Sequence, residues 1–329
     1  MLLYSLSKKG VLVMENILNG TKELLNKQYE SGKAFCSGKP FSTYQKVYFA
    51  TNENIKSYIE KSNLDGKTSA LSVMASGDHS FNLIEKGILN IDTFDSNALT
   101  EFYVFGIKCA MIMRYSYKEY LITLNKLLDI NTSLEELTSI IVDLLPFMDM
   151  KYRDYWRKIV DFNYMNQKIN KKKINLFSLL FINVISGEKL ISRNNYLTDE
   201  ETYNKFKSNL IKANITFKNV DALDLPKEYN GKYDVILLSN IFEYLQKYFG
   251  IMYDYKDMES YINELFSIIN EDGKLFLAYI FDYATKTYIR ERLFSTSSVT
   301  LDDFNNYEML KVDSCRKEKI QDGVLILKK

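Results

Sequence analysis

Ala70-Leu-Ser-Val-Met-Ala-Ser-Gly-Asp-His79, followed by Ile91-Asp-Thr-Phe-Asp95, is the stretch that decides the fold. An apolar run enters a small-residue turn, a helix-forming segment follows, and a second apolar run ends in an acid. The acid falls about eighteen residues past Gly77, close to the roughly 20 that separate the phosphate-loop glycines from the ribose acid in a mononucleotide-binding half-site. Backbone N–H groups at such a turn approach a nucleoside, and the acid accepts from its ribose hydroxyls. The turn holds one glycine where a dinucleotide fingerprint carries three, so a phosphate-free nucleoside fits it better than a pyrophosphate.

Outward from this stretch, helix-like and strand-like patterns alternate. Asn54-Ile-Lys-Ser-Tyr-Ile-Glu60 reads as a short amphipathic helix, 68–74 as strand 1, 79–86 as a helix and 88–95 as strand 2. Asn97 is placed to cap a helix over 97–113. Thr198-Asp-Glu-Glu201 opens another helix as a capping box. Ile215–Val220 reads as strand 3 and the continuous apolar run Tyr233–Leu238 as a buried central strand 4. A helix over 257–269 and the turn Asn270-Glu-Asp-Gly273 lead into strand 5 at 274–280. Runs at 308–312 and 323–327 lie too close for an intervening helix and must pair antiparallel.

The spans divide as a helical lead-in over 1–60, a first sheet segment over 61–114, a helical insertion over 115–195 and a second sheet segment over 196–329. Parallel strands linked by helices and finished by a hairpin set the S-adenosylmethionine-dependent transferases apart from most NAD dehydrogenases. The expected architecture is therefore an α/β, Rossmann-like sheet of the class I transferase type, in order 3-2-1-4-5-7-6.

Composition narrows the function. The 329 residues are 46% hydrophobic and carry a formal charge of +1, so nothing in the totals favours nucleic acid or an anionic membrane as partner. Cys36, Cys109 and Cys315 lack C-x-x-C spacing and read as reduced thiols of a cytoplasmic protein. With His79 the single histidine, no metal site is expected. The amino terminus is not patterned as a signal peptide, and the apolar run 174–185 is far short of the ~20 residues of a membrane span. Lys171-Lys-Lys173 reads as a solvated run.

Ala75, Ser76 and Gly77 at the turn, with Asp95 and Ser96 at the tip of strand 2, are the expected cofactor contacts; capping the next helix is the alternative for Asp95. Asp221 after strand 3 is placed to accept from an adenine amino group while the Ala222 N–H donates to the ring. A plain strand-end turn is the other reading. Ser239 and Asn240 after strand 4 fall in the crevice at the carboxyl edge of the sheet, with Phe242 and Tyr244 as walls for a cation. Glu243, Asp224 and His79, in that order, are the candidate general bases, although a surface or structural role is the leading reading of His79. Tyr152, Arg153, Tyr155 and Trp156 are the residues through which the insertion is expected to reach the crevice and line an acceptor pocket. A plain amphipathic helix explains them as well.

These residues resemble the S-adenosylmethionine–diacylglycerol aminocarboxypropyl transferases of betaine-lipid synthesis and their bacterial relatives. The likeness lies in Tyr44-Gln-Lys-Val-Tyr48, in 70–79 through Phe94-Asp-Ser-Asn-Ala98, and in Tyr196-Leu-Thr-Asp-Glu-Glu201 through Asp221 and 234–245. Family members often carry Trp-Glu-Asp where this chain has Tyr48-Phe-Ala50, and a proline where Ala98 stands. The resemblance implies S-adenosylmethionine held near Ser76, Gly77, Asp95, Asp221 and Ala222. It also implies transfer of the aminocarboxypropyl group rather than the methyl group; the expected acceptor is a lipid or small molecule, and peripheral contact to a membrane is left open. A small-molecule methyltransferase on the same scaffold, and a non-catalytic module that binds a partner through the insertion, are the rival readings.

Overall fold

Apolar β-branched and aromatic runs too short for helices form a seven-stranded sheet in a computed structural model that describes residues 47–48, 50–129, 131–170, 181–182, 188–241, 255–283, 306–316 and 318–329. Its strands are β1 (Ser69–Val73), β2 (Asn90–Asp95), β3 (Asn214–Asn219), β4 (Tyr233–Leu237), β5 (Ile269–Ile280), β6 (Tyr307–Asp313) and β7 (Gln321–Lys328). Counted within this sheet, they lie in the order 3-2-1-4-5-7-6. Two further two-residue strands, Val47–Tyr48 and Phe181–Ile182, form a separate parallel ladder and are left out of that count. β1 to β5 are parallel, while β7 runs antiparallel between β5 and β6. A mostly parallel α/β sheet compatible with a Rossmann-like fold results.

Burial follows position. Four of the five residues of β1 are buried, as are most of those in β4, whereas edge strand β3 alternates between half-buried and exposed. Leu71, Ile236, Leu265, Leu275 and Leu325 sit in one apolar core on the sheet. The turn expected at 270–273 is present inside the extended segment: Asp272 has φ 60°, and a Cβ on Gly273 would stand 2.3 Å from Ile269 Cγ2.

The chain forms two compact units. The sheet unit takes in the described residues of Ala50–Ser96, Tyr117–Leu121 and Val184–Lys329. Its helices include α1 (Ile55–Lys61), α2 (Asp78–Glu85), α3 (Glu200–Lys212) and α4 (Tyr255–Ser267). Asn54 caps α1 by accepting from Ser57 N–H at 3.1 Å. The cap of α3 is Asp199, not Thr198: its Oδ1 accepts from Thr202 N–H at 2.8 Å, and that bond holds the Asp199 carboxyl below its usual range. Thr198 is already in helical conformation and accepts from Lys56 Nζ instead, so α3 starts one residue later than expected, on a simple side-chain cap rather than a capping box.

The helical unit takes in the described residues of Met1–Phe49, Asn97–Ser116 and Ile122–Asn183. The single helix expected over 97–113 is three segments, α at Leu99–Glu101, π at Phe102–Lys108 and α at Cys109–Arg114. Asn97 Oδ1 does accept from Leu99 N–H, at 3.0 Å. The π segment has a visible cause. Trp156, on the helix Met150–Asn170, donates its indole N–H to the Phe102 carbonyl at 2.9 Å and lies directly on Gly106. Burial pushes the Cys109 thiol up to about 12. Among the described residues, no helix is long and apolar enough to cross a membrane.

Two predictions test this packing. A Cβ on Gly106 would stand 2.5 Å from Trp156 Nε1, so Gly106→Ala forces the indole off the helix. It should cost about 1–3 kcal/mol and red-shift the fluorescence of the only tryptophan; an unshifted spectrum with unchanged melting would refute the contact. In the sheet unit, Asp234 on β4 accepts from the Thr68 and Ser69 backbones at 2.8 and 3.0 Å and from Asn270 Nδ2 at 2.9 Å. Burial opposes its ionisation, but these bonds prevail and hold the carboxyl at about 2. A depressed folded-state pKa contributes stability above the unfolded value near 4 and loses it as pH falls toward 2. Asp234→Asn should therefore destabilise by about 1 kcal/mol at pH 7, with the gap to the parent closing between about pH 4 and 2 in denaturant melts.

Candidate functional site

The strand order creates the site. From β1 the chain winds outward to β2 and β3, and from β4 it winds the opposite way to β5, so the tips of neighbouring β1 and β4 flank the topological switch point. The last ladder bond of β1 runs from Met74 N–H to the Phe94 carbonyl at 2.8 Å. The backbone then turns sharply, with Ala75 at φ 42° and Gly77 at φ 81°, and Gly77 N–H closes onto the Met74 carbonyl at 2.6 Å. Gly77 fits this left-handed conformation without strain, whereas Ala75 occupies it at a cost of order 1 kcal/mol. Asp95 is at the turn, as expected: its Oδ2 accepts from Ala75 N–H at 3.0 Å. Asn97 does the capping considered for Asp95. Ser96 is half-buried beside it.

Beneath the turn lies a buried polar cluster. Ser76 is oriented inward and donates to Asp78 Oδ2 at 2.7 Å. The same oxygen accepts from Thr51 N–H at 2.7 Å, and Asp78 Oδ1 accepts from Tyr196 Oη at 2.7 Å. Asn82 donates to the Asp78 carbonyl and to Asn194 Oδ1, and its own Oδ1 accepts from Asn195 N–H. Arg193, 2% exposed, donates from Nη1 to the Thr51 carbonyl and from Nη2 to the Cys315 carbonyl, each at 2.9 Å.

His79 is buried in α2, and its Nε2 stands 3.1 Å from Glu53 Oε2. Glu53 Oε1 accepts from Ser239 Oγ in a short bond. Ser239 directly extends the β4 tip at φ 61°, and its carbonyl accepts from Tyr279 N–H at 2.9 Å. The Glu53 carboxylate thus spans the switch point, with one oxygen on the β4 side and the other on the β1 side. Asn240 is half-buried next to Ser239.

At the tip of β3, Asp221 Oδ1 accepts from Leu223 N–H at 3.0 Å and opens the turn Ala222–Asp224. Ala222 is buried, with its carbonyl accepting from Tyr261 Oη. Asp224 is exposed at the turn after an edge strand, 3.9 Å from exposed Lys227. Glu243, with Phe242 and Tyr244, lies outside the described residues, as do Cys36, the Lys171–Lys173 run and the lead-in before Val47.

In the helical unit, Tyr152, Arg153, Tyr155 and Trp156 make internal contacts. Tyr152 donates to Glu101, Arg153 donates to the Leu145 and Met148 carbonyls, and the Tyr155 ring packs 4.4 Å from that of Phe102. These contacts are those of an amphipathic helix.

Sequence reasoning missed Glu53, Thr51 and the Arg193-Asn-Asn195 run. Their types say "loop", and only tertiary packing buries them. The one usable signal was a dense polar run, Arg193-Asn-Asn, immediately before the Tyr196 motif.

Asp78 accepts from at least three donors in a buried place, and Asp78→Asn removes the charge and one acceptor oxygen from these bonds. We expect a loss of about 2–3 kcal/mol in urea unfolding; a loss under about 0.5 kcal/mol would show that the cluster does not hold the turn. The chain matches no protein-family model and no curated protein.

Proposed function

We propose that the chain is an S-adenosylmethionine-dependent transferase of the class I, Rossmann-like type that moves the aminocarboxypropyl group to a lipid or small-molecule acceptor in the cytoplasm. One observation carries the reading. At the switch point of a sheet ordered 3-2-1-4-5-7-6, the β2 carboxylate of Asp95 is bonded to the first residue of a single-glycine turn. That pairing supports reading Asp95 as a ribose-binding acid beside backbone that approaches a nucleoside. The donor set fits a nucleoside without phosphates. The turn lacks the glycines a pyrophosphate demands.

In this reading Asp95 accepts from the ribose hydroxyls, Asp221 from the adenine amino group, and Ser239 and Asn240 face the methionine portion. When bound, S-adenosylmethionine supplies electrophilic carbons on one sulfonium. The chain's own contribution is to orient the acceptor in line and exclude water. The proton of a hydroxyl acceptor goes to His79, whose imidazole is held by Glu53. The choice of aminocarboxypropyl over methyl rests on the resemblance of 70–98 and 196–245 to the betaine-lipid transferases.

The test is product identity. Incubated with S-adenosylmethionine and a lipid-containing cell extract, the protein should release methylthioadenosine; S-adenosylhomocysteine alone would move the assignment to methyl transfer. Calorimetry with S-adenosylmethionine should show binding that Asp95→Asn weakens about tenfold or more, the effect of losing charge-assisted hydrogen bonds. Absence of heat from the parent protein would refute the reading.

A further inference from the structure

We propose that Glu53 is the seat of a cationic amine, the α-ammonium group of the adenosyl ligand's amino-acid portion. This rests on the transferase reading above and adds to it a recognition residue on the segment that precedes β1.

The argument is one of unbalanced charge. Glu53 is 1% exposed. A carboxylate offers about four acceptor positions. Among the described residues two donors reach it, Ser239 Oγ and His79 Nε2, and no lysine or arginine pairs with it. Arg193, the buried cation of the neighbouring cluster, directs Nη1 and Nη2 to the Thr51 and Cys315 carbonyls. Buried charges are ordinarily paired, because desolvation of a lone one is costly.

Protonation of His79 would supply a counter-charge. It would also leave Nδ1–H buried with no acceptor, since Nδ1 has no partner among the described residues. The neutral tautomer, with Nε2–H donated to Glu53, instead makes Nδ1 an unused acceptor. The Tyr58 hydroxyl is a second buried group without a partner. Burial first, then the charge of Glu53 and then Tyr279, raise its pKa well above the ordinary phenol value, so it stays neutral beside the carboxylate. An ammonium brings three N–H donors. The Glu53 carboxylate and Tyr58 Oη are acceptors of matching polarity, while His79 Nδ1, across the ring from the Nε2–Glu53 bond, is left for proton transfer. The carboxylate stands at the switch point, where ligands of open α/β sheets bind. The strained Ser239, at φ 61°, keeps its hydroxyl on the carboxylate and so aims it.

Calorimetry on the full chain with two probes tests this. S-adenosylhomocysteine carries the ammonium, and methylthioadenosine lacks the whole amino-acid portion. Glu53→Gln should weaken S-adenosylhomocysteine by about tenfold or more while leaving methylthioadenosine within about twofold. Equal weakening of both probes, or of neither, would overturn the ammonium site and leave the transferase reading standing. Failure of the parent chain to bind either probe would sink that reading, and the ammonium site with it.

Should Glu53→Gln not fold, the parent protein decides. An S-adenosylhomocysteine analogue lacking only the amino group should bind about tenfold more weakly than S-adenosylhomocysteine itself, and equal affinity overturns the proposal. Ser239→Ala, which frees the carboxylate from its tether, should reproduce the same selectivity in milder form.

Discussion

A buried carboxylate must collect donors from wherever the chain can supply them, and Asp78 does so from three segments far apart in sequence. Thr51 comes from the approach to α1, Ser76 from the turn after β1, and Tyr196 from the segment ahead of α3. None of these bonds is replaceable by water in a site 1% exposed. The turn is therefore held in its strained shape from beneath. Asn82 repeats the device one helical turn later by binding Asn194 and Asn195. Arg193 extends it to the end of β6 through the Cys315 carbonyl.

Aromatic packing surrounds this polar centre. Phe81 on α2 meets Tyr196 edge-on at 5.6 Å and Phe206 on α3 at 5.3 Å, and Tyr203 packs against Tyr117 and Tyr120. On the other side, Tyr279 of β5 donates to buried Asp322 of β7 at 2.8 Å and accepts from Asn54 N–H at the start of α1. The terminal antiparallel strand is thereby tied to the segment that carries Glu53. A strand addition that looks merely architectural thus helps to position the carboxylate at the switch point.

Much of the fold was legible in the sequence because a parallel sheet buries its central strands on both faces and so writes them as uninterrupted apolar runs. Ala70–Met74 and Tyr233–Leu238 are examples, and the observed strands fall within two residues of the expected ones at most ends. The terminal pair was readable from the shortness of its connection. The π segment at Phe102–Lys108 was not, since it depends on an indole fifty residues away meeting Gly106. The site divided in the same way. Asp95 and the Met74–His79 turn stand where periodicity and spacing put them. Asp224 is an exposed turn residue. Glu53 carried no signal in the sequence and is a buried carboxylate bonded to His79. Burial of a polar side chain is a tertiary fact, and a polar run such as Arg193-Asn-Asn195 carries no mark of it.

The central claim is that an adenosyl ligand binds at the joined tips of β1, β2 and β4. Amide hydrogen exchange followed by mass spectrometry, with and without saturating S-adenosylhomocysteine, addresses it most directly. Slowed exchange concentrated in 74–79, 95–96 and 239–241 is the result this account predicts. Unchanged exchange in those segments, with protection appearing elsewhere or nowhere, would contradict it.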